Sequence, residues 1–447
     1  MGEIIHIHIG QCGVQLGSAL WEQHIAEHGV EHDGSLSTTK PFEKSENQIN
    51  KLFYETKEGK YHARSLFVDA DSFVIDGIKK GENRQIFNPN NLFCHKEESR
   101  GTHPQVYYCY DKKFHQSLLD RLRQLFESCE SPQGVIMTHS ICGGFGSGYG
   151  SLLLHKMMVD YAKKSKITYS MFPSPKISNL VVEPYNMILG MMSLIEYADL
   201  SILFDNEALY NICSNQMEKE SPNYADINRM VARALSTSFS STRFHSSFNA
   251  NLGEMITSLV PYPRIHYAMP SYAPFGDRNR TKEIPLSIED LTDLAFNQGS
   301  VMLSSNLKLD KYISCCVAYR GRVDPETAVN AVNKVKKLRE VKTVSWCPTG
   351  FKTGITYQDP VIVNKEMDTK RTNEVGVLIN STNFAKIFER EAQKFDSLYR
   401  PRAFVHWFVG VGMESGEFAE SRENFHCLRR EYEEISQYSA EDLDDDD

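Results

Sequence analysis

The segment Cys142-Gly143-Gly144-Phe145-Gly146-Ser147-Gly148 joins an apolar run, Gly134 to Met137, to a helical pattern from about Tyr149 to Ala162. Glycines let a backbone approach a phosphate with no Cβ in the way. The helix start that follows offers unpaired N–H groups and the positive end of a dipole. That is the chemistry of a phosphate cradle, although the same glycines would equally permit close packing of a helix on a sheet. The spacing is neither the G-x-x-x-x-G-K-[ST] loop nor an early G-x-G-x-x-G fingerprint, so a Walker-type nucleotidase and a nicotinamide oxidoreductase are both disfavoured.

The elements that must hold this loop alternate strand and helix. Ile5, Ile7 and Ile9 lead through Gly10 into a helical segment at Val14 to Ile25, and Leu66 to Val68 end at Asp69 and Asp71. Such alternation predicts an α/β fold with a parallel sheet and crossover helices. Ligands of such sheets sit at the carboxyl ends of the strands, so the loops beginning at Gln11, Asp69, Ser140 and Ser178 are expected to converge. Further on, the pattern predicts a helix from about Asp226 to Arg243. Strands follow at Ile265 to Met269, Tyr312 to Ala318 and Val375 to Ile379, then helices at Phe384 to Tyr399 and Glu414 to Glu434.

At 447 residues and 41% hydrophobic, the chain is long enough for two or three domains with a large core. A net charge of -9 argues against a nucleic-acid binder. Glu441, Asp442 and Asp444 to Asp447 form an acidic tail, which reads as a solvated run or as a lure for basic partners. The ten cysteines include no C-x-x-C pair, which predicts reduced thiols and neither a disulfide framework nor a zinc site. No signal peptide is expected from the Glu3 to Ile9 alternation, and His6 spoils a myristoylation motif. Glu196 and Asp199 interrupt the most apolar stretch, so no membrane span is expected.

GQCGVQLG at Gly10 to Gly17, the loop at Cys142 to Gly148, VVEPYN at Val181 to Asn186, DNEALY at Asp205 to Tyr210, LVPYPRIH at Leu259 to His266, WCPTGFK at Trp346 to Lys352 and RAFVHWFVGVGME at Arg402 to Glu414 together resemble the tubulin family. The resemblance implies a Rossmann-like GTP-binding domain at 1–205, a second α/β domain at 206–381 with a central helix and a lateral-contact loop, and C-terminal helices with an acidic tail at 382–447. It also implies a GTP site with Mg2+. Gln11 and Cys12 would open the first phosphate loop, Asp71 would stand near the metal, and Ser140, Gly144 and Phe145 would face phosphate. Asn179 would approach the ribose, while Asn206 and Asn228 would read the guanine edge with Tyr224 stacked on its face. An amide both donates and accepts, as guanine requires, and a ring supplies stacking area.

Two features resemble the alpha type. Glu254 stands where that type carries the acid that promotes hydrolysis on the next beta subunit, and Asp359 to Lys370 match its longer loop. Lys40 matches a lumenal lysine that is acetylated. The resemblance thus implies a GTPase subunit pairing with beta-tubulin, touching lateral tubulin neighbours, and meeting microtubule-associated proteins and motors through its tail. Its place would be the cytoplasmic cytoskeleton, in ordinary microtubules or in axonemal or other specialised arrays. The chain is a divergent member. Phe145 replaces a threonine, the third phosphate loop reads Glu98-Ser99-Arg100-Gly101 with Gly101 in place of an amide, Asn251 replaces an aspartate, and Arg278, Arg280 and Lys282 cluster in the lateral loop. The tail lacks a terminal tyrosine. These departures leave open a non-hydrolysing pseudo-tubulin with a structural or regulatory role on filaments.

Overall fold

In a computed structural model of the chain, the alternation at Ile5, Ile7 and Ile9 forms a strand, Glu3–Ile9, that is buried at every residue. The structure describes residues 2–37, 46–95, 101–176, 178, 180–217, 219, 221–246, 251–275, 286–305, 310–337, 341–347, 350–361, 363 and 372–437. Lys40, Glu98, Ser99, Arg100, Asn179, Arg278, Arg280, Lys282, most of the Asp359 to Lys370 loop and the acidic tail lie outside the described residues. Contacts divide the chain into two units. The first holds Met1–Pro173, Ser178–Asp199 and Phe395–Ser421, and the second Ser174–Ile177, Leu200–Lys394 and Arg422–Asp447.

In the first unit five strands lie in the order Leu92–Cys94, Ser65–Asp69, Glu3–Ile9, Pro132–Ser140, Ser165–Phe172, and each pairing is parallel. Parallel strands need crossover connections, and the helices cover both faces of the sheet. Polar residues of the first strand are therefore buried too, and each must find partners. His8 accepts a hydrogen bond at Nε2 from Trp21 Nε1 at 3.0 Å, and its Nδ1 lies 2.5 Å from Thr138 Oγ1. The Thr138 hydroxyl spends its proton on the Gly13 carbonyl at 3.0 Å, so Nδ1 of His8 is the donor and both ring nitrogens of the neutral form are used. Burial, helped by nearby His24, pushes His8 down to about 3. Helix Gly10–His28 lies so close to the strand that a Cβ on Gly17 would sit 2.3 Å from His8 Nδ1.

The helix expected from Tyr149 starts earlier, at Gly144, and runs to Asp160. Its glycines are needed for contact: a Cβ on Gly146 would lie 2.5 Å from the Ser140 carbonyl oxygen, and one on Gly148 would lie 2.5 Å from that of His103. Close packing outweighs the roughly 1 kcal/mol that each glycine costs in a helix. Also in this unit, Tyr185 lies among Phe395, Phe408 and Phe418, and its hydroxyl donates to the Ala403 carbonyl at 2.8 Å.

In the second unit, strand Leu200–Asp205 pairs parallel with Tyr267–Ala273. Asn373–Ser381 runs antiparallel to both Tyr267–Ala273 and Lys311–Gly321, and Phe351–Thr356 runs parallel to the latter. The central helix, Tyr224–Ser238, opens with a capping box between Asn223 and Asp226. It breaks at Phe239 and a short helix, Ser240–Arg243, completes the expected stretch, with the buried Arg243 donating back to the Ser236 carbonyl at 2.8 Å. The helix Phe384–Tyr399 has the predicted limits, and the last described helix is Ser415–Gln437. Phe384 meets Tyr432 and Phe388 meets Phe425, so the two helices run antiparallel. No described helix is long and apolar enough to cross a membrane.

Candidate functional site

Strand register places the carboxyl ends of the first unit's sheet in line: Ile9 lies beside Val68, His8 beside Thr138, and Ser140 beside Met171. Two helices begin at this edge. Gly10 turns the chain into the first with φ +71°, and a Cβ there would stand 3.3 Å from the Gly146 amide nitrogen of the second. Neither helix start is capped by a side chain. The first-turn N–H groups at Gln11 and Cys12, and at Gly144, Phe145 and Gly146, are thus left for a ligand. At Gly143 a Cβ would meet nothing within 4 Å, so the cradle is open where the chain enters the second helix. Two adjacent helix N-termini add their positive dipole ends, which suits a polyphosphate.

Each residue singled out at this end has a defined setting. Gln11 is exposed and Cys12 half-buried, and burial pushes the Cys12 thiol up to about 12. The Ser140 hydroxyl oxygen accepts from the Cys142 N–H at 3.2 Å and shapes the turn into the cradle. Burial, with Glu183 next in effect, also holds the Cys142 thiol well above its ordinary range. Gly144 packs under a neighbouring loop, since its Cβ would fall 2.5 Å from Gly101 C and from Thr102 N. Phe145 turns its ring inward onto Tyr149, stacked at 5.3 Å, and only its N–H is left to face phosphate. The ring offers no hydrogen-bond donor and, packed inward, does not fill the cradle.

Asp71 is used as a helix cap, its Oδ1 accepting from Phe73 N at 2.8 Å. Asp69 begins one of the loops expected to converge here, although the resemblance gives the metal role to Asp71 alone. Its Oδ1 accepts from Ala70 N at 2.7 Å and Asp71 N at 3.3 Å, while Oδ2 is buried with no hydrogen-bond partner. Burial raises Asp69 to about 6. An unpaired buried carboxylate oxygen is costly unless a cation compensates it. Among the described residues no three His, Cys, Asp or Glu side chains are grouped to hold an ion alone. The donor set therefore fits Mg2+, which binds through one or two carboxylates plus phosphate oxygens and water.

Two further contacts shape the rim. The Ser178 hydroxyl donates to the Glu183 carboxylate, and its oxygen lies 2.9 Å from the Leu180 carbonyl oxygen. Asn186, fully buried on helix Glu183–Tyr197, bonds to Gly101, His103 and Cys142.

In the second unit, Asn206 and Asn228 stand near helix starts, where an asparagine is commonly a cap. The caps are instead Asp205 and Asn223, and the amides of Asn206 and Asn228 make no hydrogen bond among the described residues. Tyr224 is half-exposed, and its ring meets Tyr210 edge-on at 6.3 Å. These are a free amide pair and an accessible aromatic ring, the group types that read a purine.

Glu254 lies in the first turn of helix Leu252–Leu259. Asn251 caps that helix, its Oδ1 accepting from Glu254 N at 2.8 Å. The Glu254 carbonyl accepts from Ser258 Oγ at 2.5 Å and Lys352 Nζ at 3.4 Å, and Lys352 also donates to Ser258 Oγ at 2.7 Å. The half-buried Glu254 carboxylate itself has no partner among the described residues. A free acid held on a rigid first turn can orient a water or accept its proton.

Comparison with known proteins identifies the family. Residues 3–214 match the Tubulin/FtsZ family, GTPase domain, and residues 263–393 match the Tubulin C-terminal domain. The chain is 42% identical over 442 residues to the Tubulin alpha-2B chain of Physarum polycephalum, covering 99% of this chain and 98% of that one.

Proposed function

Because the chain belongs to the tubulin family, and within it to the alpha type, we propose that it pairs with beta-tubulin and builds microtubule protofilaments while holding GTP. The observation that carries the nucleotide reading is the pair of uncapped helix N-termini at Gly10 and Gly144 over an open Gly143. Backbone N–H groups of Gln11, Cys12, Gly144 and Phe145 bind the phosphates, with the Ser140 hydroxyl beside them. Asp69 and the free oxygen of Asp71 hold Mg2+, which when bound neutralises phosphate charge. Asn206 and Asn228 read guanine and Tyr224 stacks on it; these roles, like that of Asn179 at the ribose, rest on the family resemblance and on the free groups described above.

Hydrolysis is completed in trans. Glu254 faces the next beta subunit along the protofilament and takes a proton from, or aligns, the water that attacks the terminal phosphorus, yielding GDP and phosphate. Its unpaired carboxylate supports this role. Asn251 supports a second reading: an amide spent as a helix cap transfers no proton, as expected of a non-hydrolysing pseudo-tubulin. Lateral contacts through the Ala273 to Leu286 loop, docking of associated proteins and motors on the acidic tail, acetylation of Lys40, and use in axonemal or other specialised arrays belong to the same proposal.

Co-expression with beta-tubulin, purification of the complex and extraction of its nucleotide test the proposal. A one-to-one complex carrying guanine nucleotide in both subunits is expected. A chain that purifies alone and empty would overturn it.

A further inference from the structure

Asn186 is 0% exposed, so it cannot touch a ligand, yet its hydrogen bonds go to the loops of the cradle and not to the core around it. Its Nδ2 donates to the Gly101 carbonyl at 2.8 Å and to the Cys142 carbonyl at 3.1 Å, and its Oδ1 accepts from His103 N at 2.9 Å. Both amide protons are therefore spent. One side chain grips the loop on both sides of Thr102 and ties it to the turn that precedes Gly143.

The consequence follows from peptide geometry. In a planar trans peptide the C=O and N–H point in opposite directions. With the Gly101 carbonyl held on Asn186, the Thr102 N–H of the same peptide must point away from that residue. This peptide lies against Gly144, where an added Cβ would fall 2.5 Å from Thr102 N. Among the described residues the Thr102 N–H has no acceptor. The left-handed Gly101, φ +71°, leaves room for the turn, with only Leu180 Cδ2 at 4.0 Å from a Cβ placed there.

We propose that Asn186 is a positioning residue that holds the Thr102 N–H at the phosphate cradle, so that the protein favours a nucleoside triphosphate over a diphosphate. The two apposed helix termini already form a cradle of amides without this loop. The loop contributes donors from a third side, and a side chain, not the sheet, keeps it there. The inference rests on the reading that the first unit holds the phosphates of GTP.

Amide hydrogen exchange on the complex with beta-tubulin, stripped of nucleotide and refilled with GTP or GDP, reads this chain's peptides directly. Both nucleotides should slow exchange at Gly144 to Gly146, while GTP should slow Thr102 about ten-fold more than GDP, the effect of one hydrogen bond to a charged group. Asn186→Asp keeps the acceptor for His103 and removes both donors. It should collapse the GTP-to-GDP difference at Thr102 while leaving protection at Gly144 to Gly146. Equal protection of Thr102 by the two nucleotides in the unaltered chain, with Gly144 to Gly146 protected, would overturn the role of Asn186 alone, even if the variant failed to fold. No protection at either place would overturn the nucleotide reading with it.

Discussion

Asp69→Asn should make the protein more stable when its site is empty and less able to keep its nucleotide when Mg2+ is supplied. The carboxyl is 3% exposed, keeps one oxygen unpartnered, and is raised from 3.8 to about 6 chiefly by burial. A raised carboxylate favours the folded state only while it stays protonated. Between about pH 4 and 6 the unfolded chain loses its proton first, and stability falls as pH rises; above pH 6 the loss is complete at about 3 kcal/mol. Asparagine retains an acceptor for Ala70 N and Asp71 N but has no charge to bury. The unfolded fraction of this chain, measured by pulse proteolysis of the complex freed of nucleotide and metal, reads it apart from its partner. The variant should gain about 2–3 kcal/mol at pH 7.5 and nothing below pH 3.5. With Mg2+ and GTP present the order should reverse, because the unaltered carboxylate then has its cation. A variant that is no more stable when empty, or that keeps nucleotide equally well with Mg2+, would refute the assignment of Asp69 as a buried cation ligand.

Phe145→Thr adds a hydroxyl but empties the space beside Tyr149, so it should cost about 2–4 kcal/mol of stability without tightening GTP, as denaturant unfolding and nucleotide retention would record. Tighter binding at unchanged stability would mean that the ring faces the ligand. Acid should unfold the chain readily. Burial lowers His8 and His103 to about 3 and His115 and His139 to about 4, so all four stay neutral in the fold while the unfolded chain takes up protons below pH 6.5. Stability should therefore drop by about 5 kcal/mol between pH 7.5 and 5.5, and a flat profile over that range would contradict the buried neutral pairing derived for His8.

The sequence made the chemistry of the cradle legible through its glycines, and the parallel sheet through strand and helix alternation. It placed the start of helix Gly144–Asp160 five residues late, because consecutive glycines read as loop unless their contacts with Ser140 and His103 are known. Asp69 and Asp71 looked alike as acids ending a strand. Only burial separates the unsatisfied Asp69 from Asp71, which caps a helix. The break at Phe239, between the central helix and the short helix Ser240–Arg243, is a local feature that periodicity does not carry. Asn186 lay within a quoted motif, but its three partners are 44 to 85 residues away in sequence, and no spacing rule reaches that far.

Phosphate release during co-assembly with beta-tubulin, compared between the unaltered chain and Glu254→Ala, tests the account most directly. The carboxylate has no structural partner among the described residues, so the substitution should leave pairing and polymerisation intact. Removing a general base typically costs about 10²–10⁴-fold in rate, so filaments of the variant should retain GTP on beta-tubulin while those of the unaltered chain release phosphate as they grow. Equal release from both would remove Glu254 from the mechanism, and release from neither would contradict hydrolysis in trans and leave the chain a non-hydrolysing pseudo-tubulin.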